Sequence, residues 1–189
     1  MDEPVDPERT VARQAVLYAD VSGSTRLYER FGDTVARHDI RICLEVLAQV
    51  AARFRGRLVK TIGDEVMCAF PGAVLAATAA GQMHESLREA VAAGRFRTGT
   101  LRVKIGWHYD EVERRRDDLA GPAATIAQQV IRLAKADEIL TTGSDIALLP
   151  VNLQRTARLV TRLDQAAPGS AIEVWAQPWE ASDEVTQMR

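Results

Sequence analysis

The apolar and polar positions near the N-terminus predict one strand followed by a helical region. QAVLYADV (14–21) is apolar and rich in strand-forming residues, and SGST (22–25) then supplies a turn and a helix N-cap. From Thr25 to Phe54, apolar residues recur every three or four positions, which predicts helix. Gly32 predicts a break between two helices.

The middle of the chain has the pattern of a hairpin. RLVKTI (57–62) and EVMCAF (65–70) predict two strands joined by the turn Gly63-Asp64. The rest of the pattern predicts a helix over 73–93, a strand or hairpin arm over 101–113, a helix over 122–134 and a strand over 138–140. The order of elements is therefore βα(α)ββαβ, followed by further elements.

The two ends of the chain differ from this pattern. We expect a disordered N-terminus over 1–12, one domain over 13–150, and a C-terminal extension over 151–189 that either packs on the domain or links it to a partner. In the extension, VNLQRTARLVTRLDQ predicts a further amphipathic segment and IEVWAQPWE predicts a strand.

The predicted topology brings two aspartates together. A split βαβ unit leaves room for the third strand between the first two, antiparallel to both. The end of the first strand, at Asp20, and the hairpin turn, at Asp64, then share one edge of the sheet. Because two neighbouring carboxylates at low dielectric need neutralisation, we expect a divalent cation there. Alternatively, Asp20 caps the helix and Asp64 only forms the turn.

The turn DVSGST (20–25) has the composition of a phosphate site. Gly23 allows backbone N–H groups to approach a ligand closely, and the turn opens a helix whose N-terminus favours anions. We therefore assign phosphate binding to Ser22, Gly23, Ser24 and Thr25. Beside two metal ligands, this turn predicts a triphosphate bound with its metal ions.

Composition narrows the choice of partners and location. With 24 basic and 26 acidic residues, the chain has no basic field for nucleic acid or for an anionic membrane surface. Its two cysteines have no metal-ligand spacing and form no disulfide framework. The N-terminus resembles no secretory signal, and no apolar stretch approaches the roughly 20 residues that span a bilayer. These features predict a cytoplasmic protein.

Two blocks together resemble the catalytic domain of class III nucleotidyl cyclases, which form cyclic AMP or cyclic GMP. They are LYADVSGSTRLYERFG (17–32) and GRLVKTIGDEVMCAF (56–70), and the similarity extends over about 15–149. The resemblance implies an α+β sandwich built on a ferredoxin-like βαββαβ palm, with an added dimerisation arm and C-terminal elements. It also implies a head-to-tail homodimer with each active site shared between the subunits.

The resemblance implies roles for individual residues. Asp20 and Asp64 would hold two Mg²⁺ or Mn²⁺ ions, with Val21 in the same metal-binding group. Lys60 and Asp118 would bind adenine, because a lysine donor and an aspartate acceptor match N1 and the 6-amino group, whereas guanine presents the reverse pattern. ATP is therefore the expected substrate, and cyclic AMP and pyrophosphate are the expected products. Alternatively, Lys60 and Asp118 only form surface salt bridges.

The chain departs from the family at its transition-state residues. The family pattern is roughly G-x-x-V-N-x-A-A-R, and this chain has GPAATIAQQ (121–129). Thr125 stands at the asparagine position and Gln129 at the arginine position, which removes a positive charge that phosphoryl chemistry uses. We expect slow or absent turnover. Arg132, on the same helix face, is a candidate substitute, and a heterodimer with another cyclase chain could also supply the missing arginine.

Other departures leave alternatives open. GWHYD (106–110), in place of the family's GIHTG, predicts a changed turn or an altered start of the arm, with His108 as a structural residue. One alternative function is a catalytically inactive pseudo-cyclase that binds nucleotide or only dimerises. Another is a diguanylate cyclase, because IGDEV (62–66) resembles the GGDEF hairpin, although Ile62 and Val66 break that motif.

Overall fold

The computed structural model describes residues 10–115, 118–164 and 171–179. The elements in chain order are β1 (Thr10–Val21), α1 (Ser24–Arg53), β2 (Arg57–Ile62), β3 (Glu65–Phe70), α2 (Ala73–Ala92), β4 (Val103–Arg115), β5 (Asp118–Ala120), α3 (Pro122–Leu133), β6 (Ile139–Thr142), α4 (Gly143–Ile146), α5 (Val151–Thr156), β7 (Arg158–Asp164) and β8 (Ala171–Gln177). The predicted hairpin strands and the helices α2 and α3 fall within one residue of these bounds.

The strands form one mixed sheet in the order β2-β3-β1-β4-β6-β8-β7, with β5 paired to β4. β4 and β6 are parallel, and the other paired strands are antiparallel. β3 lies between β1 and β2 and is antiparallel to both, which confirms the predicted topology. The order β2-β3-β1-β4, with α1 and α2 as connections, is the ferredoxin-like palm.

Helices cover both faces of the palm, and β1 shows how its sequence fits this arrangement. Residues 15–19 are all buried. Leu17 packs in the core beneath α1 and α2, whereas Tyr18 packs in the core beneath α3. A strand that is covered on both faces has a continuous apolar sequence, and residues 15–19 have this pattern. The face beneath α3 is called the α3 face below.

Gly106 determines how closely α3 packs on the sheet. A Cβ atom at position 106 would lie 2.5 Å from the backbone nitrogen of Ile131, a distance that real side chains do not adopt. A larger residue at this position would therefore push α3 away from β4. The position of α3 matters because this helix carries Thr125, Gln129 and Arg132.

The first strand begins earlier than predicted, and the break in the following helix lies where it was predicted. β1 begins at Thr10, so residues 10–12 belong to a strand and not to a disordered segment; residues 1–9 lie outside the described residues. The pairing of Thr10 with Arg114 explains the difference, because ladder hydrogen bonds order a segment whose side chains are exposed. Gly32 interrupts α1 with φ 77° and ψ 165°, which confirms the predicted break.

Two alternatives were predicted at GWHYD, a changed turn or an altered start of the arm, and the turn is wrong. β4 continues through Asp110, which pairs with Gln14 of β1 and lies 3.8 Å from the guanidinium of Arg13. The long ladder with β1 keeps the strand extended at this point. His108 is buried, and its Nδ1 lies 2.8 Å from Oδ2 of Asp145, as expected for a structural histidine.

The C-terminal region contains elements that the sequence pattern did not separate. The predicted amphipathic segment is the short helix α5 followed by the strand β7, which pairs with β8. β8 also pairs with β6, so residues 171–177 are part of the same sheet as the palm. The helix α4 and the strand β5 were not predicted.

Candidate active site at the end of β1

The structure brings Asp20 and Asp64 to the same edge of the sheet. Asp20 lies opposite Glu65 in the β1–β3 ladder, one residue before β1 ends. The backbone N–H of Val21 donates to the carbonyl of Asp64 at 3.2 Å, which ties the end of β1 to the β2–β3 turn. The side chain of Val21 is buried, so only its backbone is available to a ligand.

This edge carries an excess of negative charge. Lys104 of β4 forms an ion pair with Asp20, with Nζ 3.1 Å from Oδ2. Burial raises the pKa of Asp20, the hydrogen bond with Lys104 offsets part of that rise, and the charge of Asp64 adds to it. Burial, followed by the charge of Asp20, raises the pKa of Glu65 to about 7. Three carboxylates, those of Asp20, Asp64 and Glu65, therefore repel one another at this edge, and Lys104 acts on two of them, Asp20 and Glu65.

The arrangement fits a metal ion that a phosphate ligand shares. Within residues 10–115, 118–164 and 171–179, no three His, Cys, Asp or Glu side chains form a group that could hold a metal ion. Mg²⁺ is commonly bound through one or two carboxylates together with substrate phosphates. Asp20 and Asp64 supply two such carboxylates, and their negative surplus favours a cation.

The DVSGST turn has the features of an anion site. Gly23 is the N-cap of α1 in a left-handed conformation, with φ 73°. Among the described residues, α1 has no side-chain cap and no acidic residue in its first turn, where Ser24 and Thr25 lie. In the same ranges, the buried hydroxyl of Ser22 has no hydrogen-bond partner. An uncapped helix N-terminus beside an unsatisfied hydroxyl suits a phosphate group.

Lys60 and Asp118, which the family resemblance pairs, are in contact. Nζ of Lys60 lies 2.6 Å from Oδ2 of Asp118, although the residues come from β2 and β5. Their side chains are 35% and 49% exposed, so a planar ligand could reach both. Burial and then the charges of Glu65 and Asp118 raise the pKa of Tyr18 to about 12. Tyr18 therefore lies within electrostatic reach of both the lysine–aspartate pair and the acidic edge.

The three positions singled out on α3 share an exposed face. Thr125, Gln129 and Arg132 are all exposed, and their spacing places them along one side of the helix. Arg132 lies within electrostatic reach of Glu65 in the same chain. Its charge therefore already acts on the acidic edge of its own subunit, whereas the family's arginine is expected to act across a dimer interface.

Sequence reasoning missed Lys104, Glu65 and Tyr18. The sequence shows Glu65 directly after Asp64, but the rise in its pKa depends on burial and on the charge of Asp20 in the neighbouring strand. Tyr18 and Lys104 require the strand register: Lys104 lies opposite Asp20, and Tyr18 lies opposite Met67. Period-two alternation alone places these residues on a face without saying which neighbours they meet.

Comparisons with known proteins agree on one family. The chain is 30% identical over 136 residues to an adenylate cyclase from Streptomyces coelicolor, covering 71% of this chain and 34% of the relative. It is 27% identical over 140 residues to an adenylate cyclase from Streptomyces griseus, covering 74% and 33%. The chain thus spans about a third of the length of these curated relatives. No protein-family model matches the sequence.

Solved structures show the same fold at low sequence identity. The crystal structure of the adenylyl cyclase CyaB from P. aeruginosa matches with a TM-score of 0.77 and 17% identity, covering 93% of this chain and 98% of that chain. The catalytic core of a rhodopsin-guanylyl cyclase with converted specificity, in complex with ATPαS, matches with a TM-score of 0.75 and 17% identity, covering 91% and 99%.

The palm topology and the acidic edge define a nucleotidyl cyclase domain. The chain belongs to the family of class III adenylyl and guanylyl cyclase catalytic domains. Within the part of the chain that the structure describes, no helix is both long and apolar enough to cross a membrane.

Proposed function

We propose that this domain binds a metal–ATP complex and converts ATP slowly into cyclic AMP and pyrophosphate, for cyclic-nucleotide signalling in the cytoplasm. The observation that carries the proposal is the shared sheet edge of Asp20 and Asp64, beside a turn with an uncapped helix N-terminus and an unpartnered Ser22 hydroxyl. The carboxylates can bind the metal cation and the neighbouring anion site can bind the phosphates, so together they suit a metal triphosphate.

Asp20 and Asp64 would hold Mg²⁺ or Mn²⁺. A bound ion of this kind would neutralise the triphosphate and favour attack of the ribose 3′-oxygen on the α-phosphorus. Ser22, Gly23 and the first turn of α1 would bind phosphate oxygens through the Ser22 hydroxyl and backbone N–H groups. Lys104 adds a cation beside Asp20, where it would limit repulsion between the carboxylates and the phosphates.

Lys60 and Asp118 would select adenine. Their present ion pair shows that a donor and an acceptor can be held 2.6 Å apart in a position that remains partly exposed. An adenine edge inserted between them would accept from the ammonium and donate to the carboxylate, whereas guanine would present a donor to Lys60. We propose ATP over GTP on this basis.

We further propose a head-to-tail homodimer, because the exposed face of α3 carries the positions that complete a cyclase site. Thr125 and Gln129 lie on that face and provide no positive charge, so turnover in a homodimer would be slow. A heterodimer with another cyclase chain would supply the missing arginine across the same interface.

The second candidate function is a catalytically inactive pseudo-cyclase that binds nucleotide or dimerises in order to signal. The neutral residues Thr125 and Gln129 favour it, because removing one group that stabilises a transition state costs about 100-fold to 1,000-fold in rate. The metal and base positions remain compatible with binding in this case.

Product formation separates the two candidates. We would incubate the purified protein with ATP or GTP and Mn²⁺ or Mg²⁺, and detect cyclic nucleotide by chromatography, with Asp20→Ala as the control. Cyclic AMP from the wild type and none from the variant would support the cyclase. Nucleotide binding without product would support the pseudo-cyclase that binds nucleotide. Absence of binding would contradict the cyclase and would leave only the pseudo-cyclase that dimerises.

A further inference from the structure

A cavity lies on the opposite side of the sheet from α3. It has a volume of about 460 Å³ and is bounded by α2, by the segment that enters β4, by Asp137 and by Trp179. Leu87, Val91 and Leu101 form an apolar part of its wall. This volume lies within the range of roughly 300–1,000 Å³ typical of small-molecule sites.

One end of the cavity is formed by a fixed pair of stacked rings. The indole of Trp179 stacks on the imidazole of His84, with centroids 4.5 Å apart and planes inclined by 21°. The indole N–H donates to the carbonyl of Asp137 at 2.7 Å, which holds the ring in place. A flat, rigid aromatic wall of this kind favours a planar ligand.

His84 adds a polar atom without a partner. Its side chain is 2% exposed, and its Nε2 has no hydrogen-bond partner among the described residues. Buried polar atoms are rarely left unsatisfied in proteins, so an orphan beside a cavity points to a ligand. Burial lowers the pKa of His84 to about 4, and the ring is therefore neutral at pH 7.

Among the described residues, the lining of the cavity has more positive than negative side chains. Two arginines, Arg88 and Arg102, and one aspartate, Asp137, belong to its lining. Both arginines already have partners: Arg102 pairs with Asp137, and Arg88 forms an ion pair with Glu85 and lies over the ring of Trp179, 5.4 Å from its centroid. A carboxylate near the two arginines would gain charge-assisted hydrogen bonds.

We propose that this cavity binds a small planar organic anion, an aromatic carboxylate, with its ring beside Trp179 and its carboxylate towards Arg88 and Arg102. The site is separate from the acidic edge and does not depend on the proposed cyclase activity. It is nevertheless close to the phosphate-binding turn, because the carbonyl of Arg102 accepts the backbone N–H of Ser22 at 2.8 Å.

The test is a titration of the full ¹⁵N-labelled chain with 2-naphthoate, without nucleotide or metal. The three indole N–H signals are followed by NMR, and the Trp179 signal is assigned with Trp179→Phe. We expect a saturable shift of the Trp179 signal, with a dissociation constant of about 1 mM or lower. The neutral analogue 2-naphthamide should bind at least about 5-fold more weakly, because it lacks the charge.

Variants locate the ligand in this cavity. Ala92 is exposed and lines the cavity, so Ala92→Trp should fill it and abolish the shift, whereas Ala93→Trp, which faces a different groove, should not. Arg88→Gln should weaken naphthoate binding about 5-fold or more, and Arg95→Gln should leave it unchanged. The inference is overturned if the Trp179 signal does not shift, if naphthamide binds as well as naphthoate, or if binding persists in folded Ala92→Trp.

Discussion

Lys104 and its neighbours illustrate how the site balances charge at the level of single residues. The ion pair with Asp20 is partly shielded, with side chains 28% and 22% exposed, and it provides one positive charge next to Asp20, Asp64 and Glu65. Burial is the main cause of the raised pKa values of Asp20 and Glu65, and the charge of neighbouring carboxylates adds to both, so this compensation is incomplete. A bound cation would complete it, which is the physical reason for placing metal ions at this edge.

In the proposed site Lys60 selects the base, so its replacement should remove the proposed preference for ATP. Lys60→Met keeps the length and apolar stem of the side chain but removes the donor. We expect the ratio of ATP to GTP affinity to fall about 10-fold or more, because a hydrogen bond from a charged group is lost. Competition binding with the two nucleotides measures this ratio. Arg57→Met, an exposed change at the start of the same strand, is the control. An unchanged preference for ATP would contradict the assignment.

Turnover is limited by Thr125 and Gln129 in this account. The double variant Thr125→Asn with Gln129→Arg should raise the rate of cyclic AMP formation by about 100-fold or more, because it restores the family's transition-state groups. Gln128→Arg adds the same charge at a neighbouring exposed position of α3 and should have little effect. Equal rates in the double variant and the wild type would show that these two positions do not limit catalysis.

At the level of elements, α2 packs against the rest of the domain with a buried histidine, His84, that is neutral in the folded state. Burial lowers the pKa of His84 from 6.5 to about 4, with part of the effect offset by Asp137. The unfolded chain therefore binds more protons between about pH 6.5 and pH 4, so stability falls as the pH falls through this window.

His84→Gln should remove this dependence on pH. Between pH 7.5 and pH 5 we expect the wild type to lose about 2 kcal/mol more of its free energy of unfolding than the variant loses. Denaturant unfolding at both pH values measures the difference. Glu89→Gln, at an exposed position of the same helix, is the control. Identical losses in the wild type and in His84→Gln would contradict the buried neutral state.

Elements with strong periodicity or clear turns could be predicted from the sequence. The β2–β3 hairpin and α3 follow directly from such local signals, and their order implied the palm. β7 could not be found, because its side chains are largely exposed and its strand conformation depends on pairing with β8. Candidate site residues such as Asp20, Asp64 and Lys60 were predicted from motifs, and their roles stay predictions. Contacts such as Lys104 with Asp20 need the strand register, which local pattern does not provide.

At the level of the whole molecule, a shared active site makes a specific prediction for mixtures of inactive chains. If the metal ligands of one subunit work with the base-binding residues of the other, a mixture of Asp20→Asn and Lys60→Met chains contains heterodimers with one intact site. Random pairing of equal amounts should then restore roughly a quarter of the wild-type activity.

The mixture is assayed for cyclic AMP after the subunits have exchanged, with each variant alone as the control. Restoration would support the head-to-tail dimer. No restoration, in a mixture shown to contain heterodimers, would mean that each chain uses its own Lys60 together with its own Asp20. The structure makes this outcome meaningful, because Tyr18 lies within electrostatic reach of Glu65, at the acidic edge, and of Asp118, the partner of Lys60, in one chain.

The most direct test of the central claim is the binding of an ATP analogue that cannot cyclise, measured by calorimetry with and without Mn²⁺. The account predicts binding that requires Mn²⁺ and weakens at least about 10-fold in Asp64→Asn, because the triphosphate is held through metal ions on Asp20 and Asp64. Asp33→Asn, on the exposed surface of α1, should bind as the wild type does. Binding of equal strength without Mn²⁺ and in Asp64→Asn would contradict the assignment of a metal–nucleotide site to this edge.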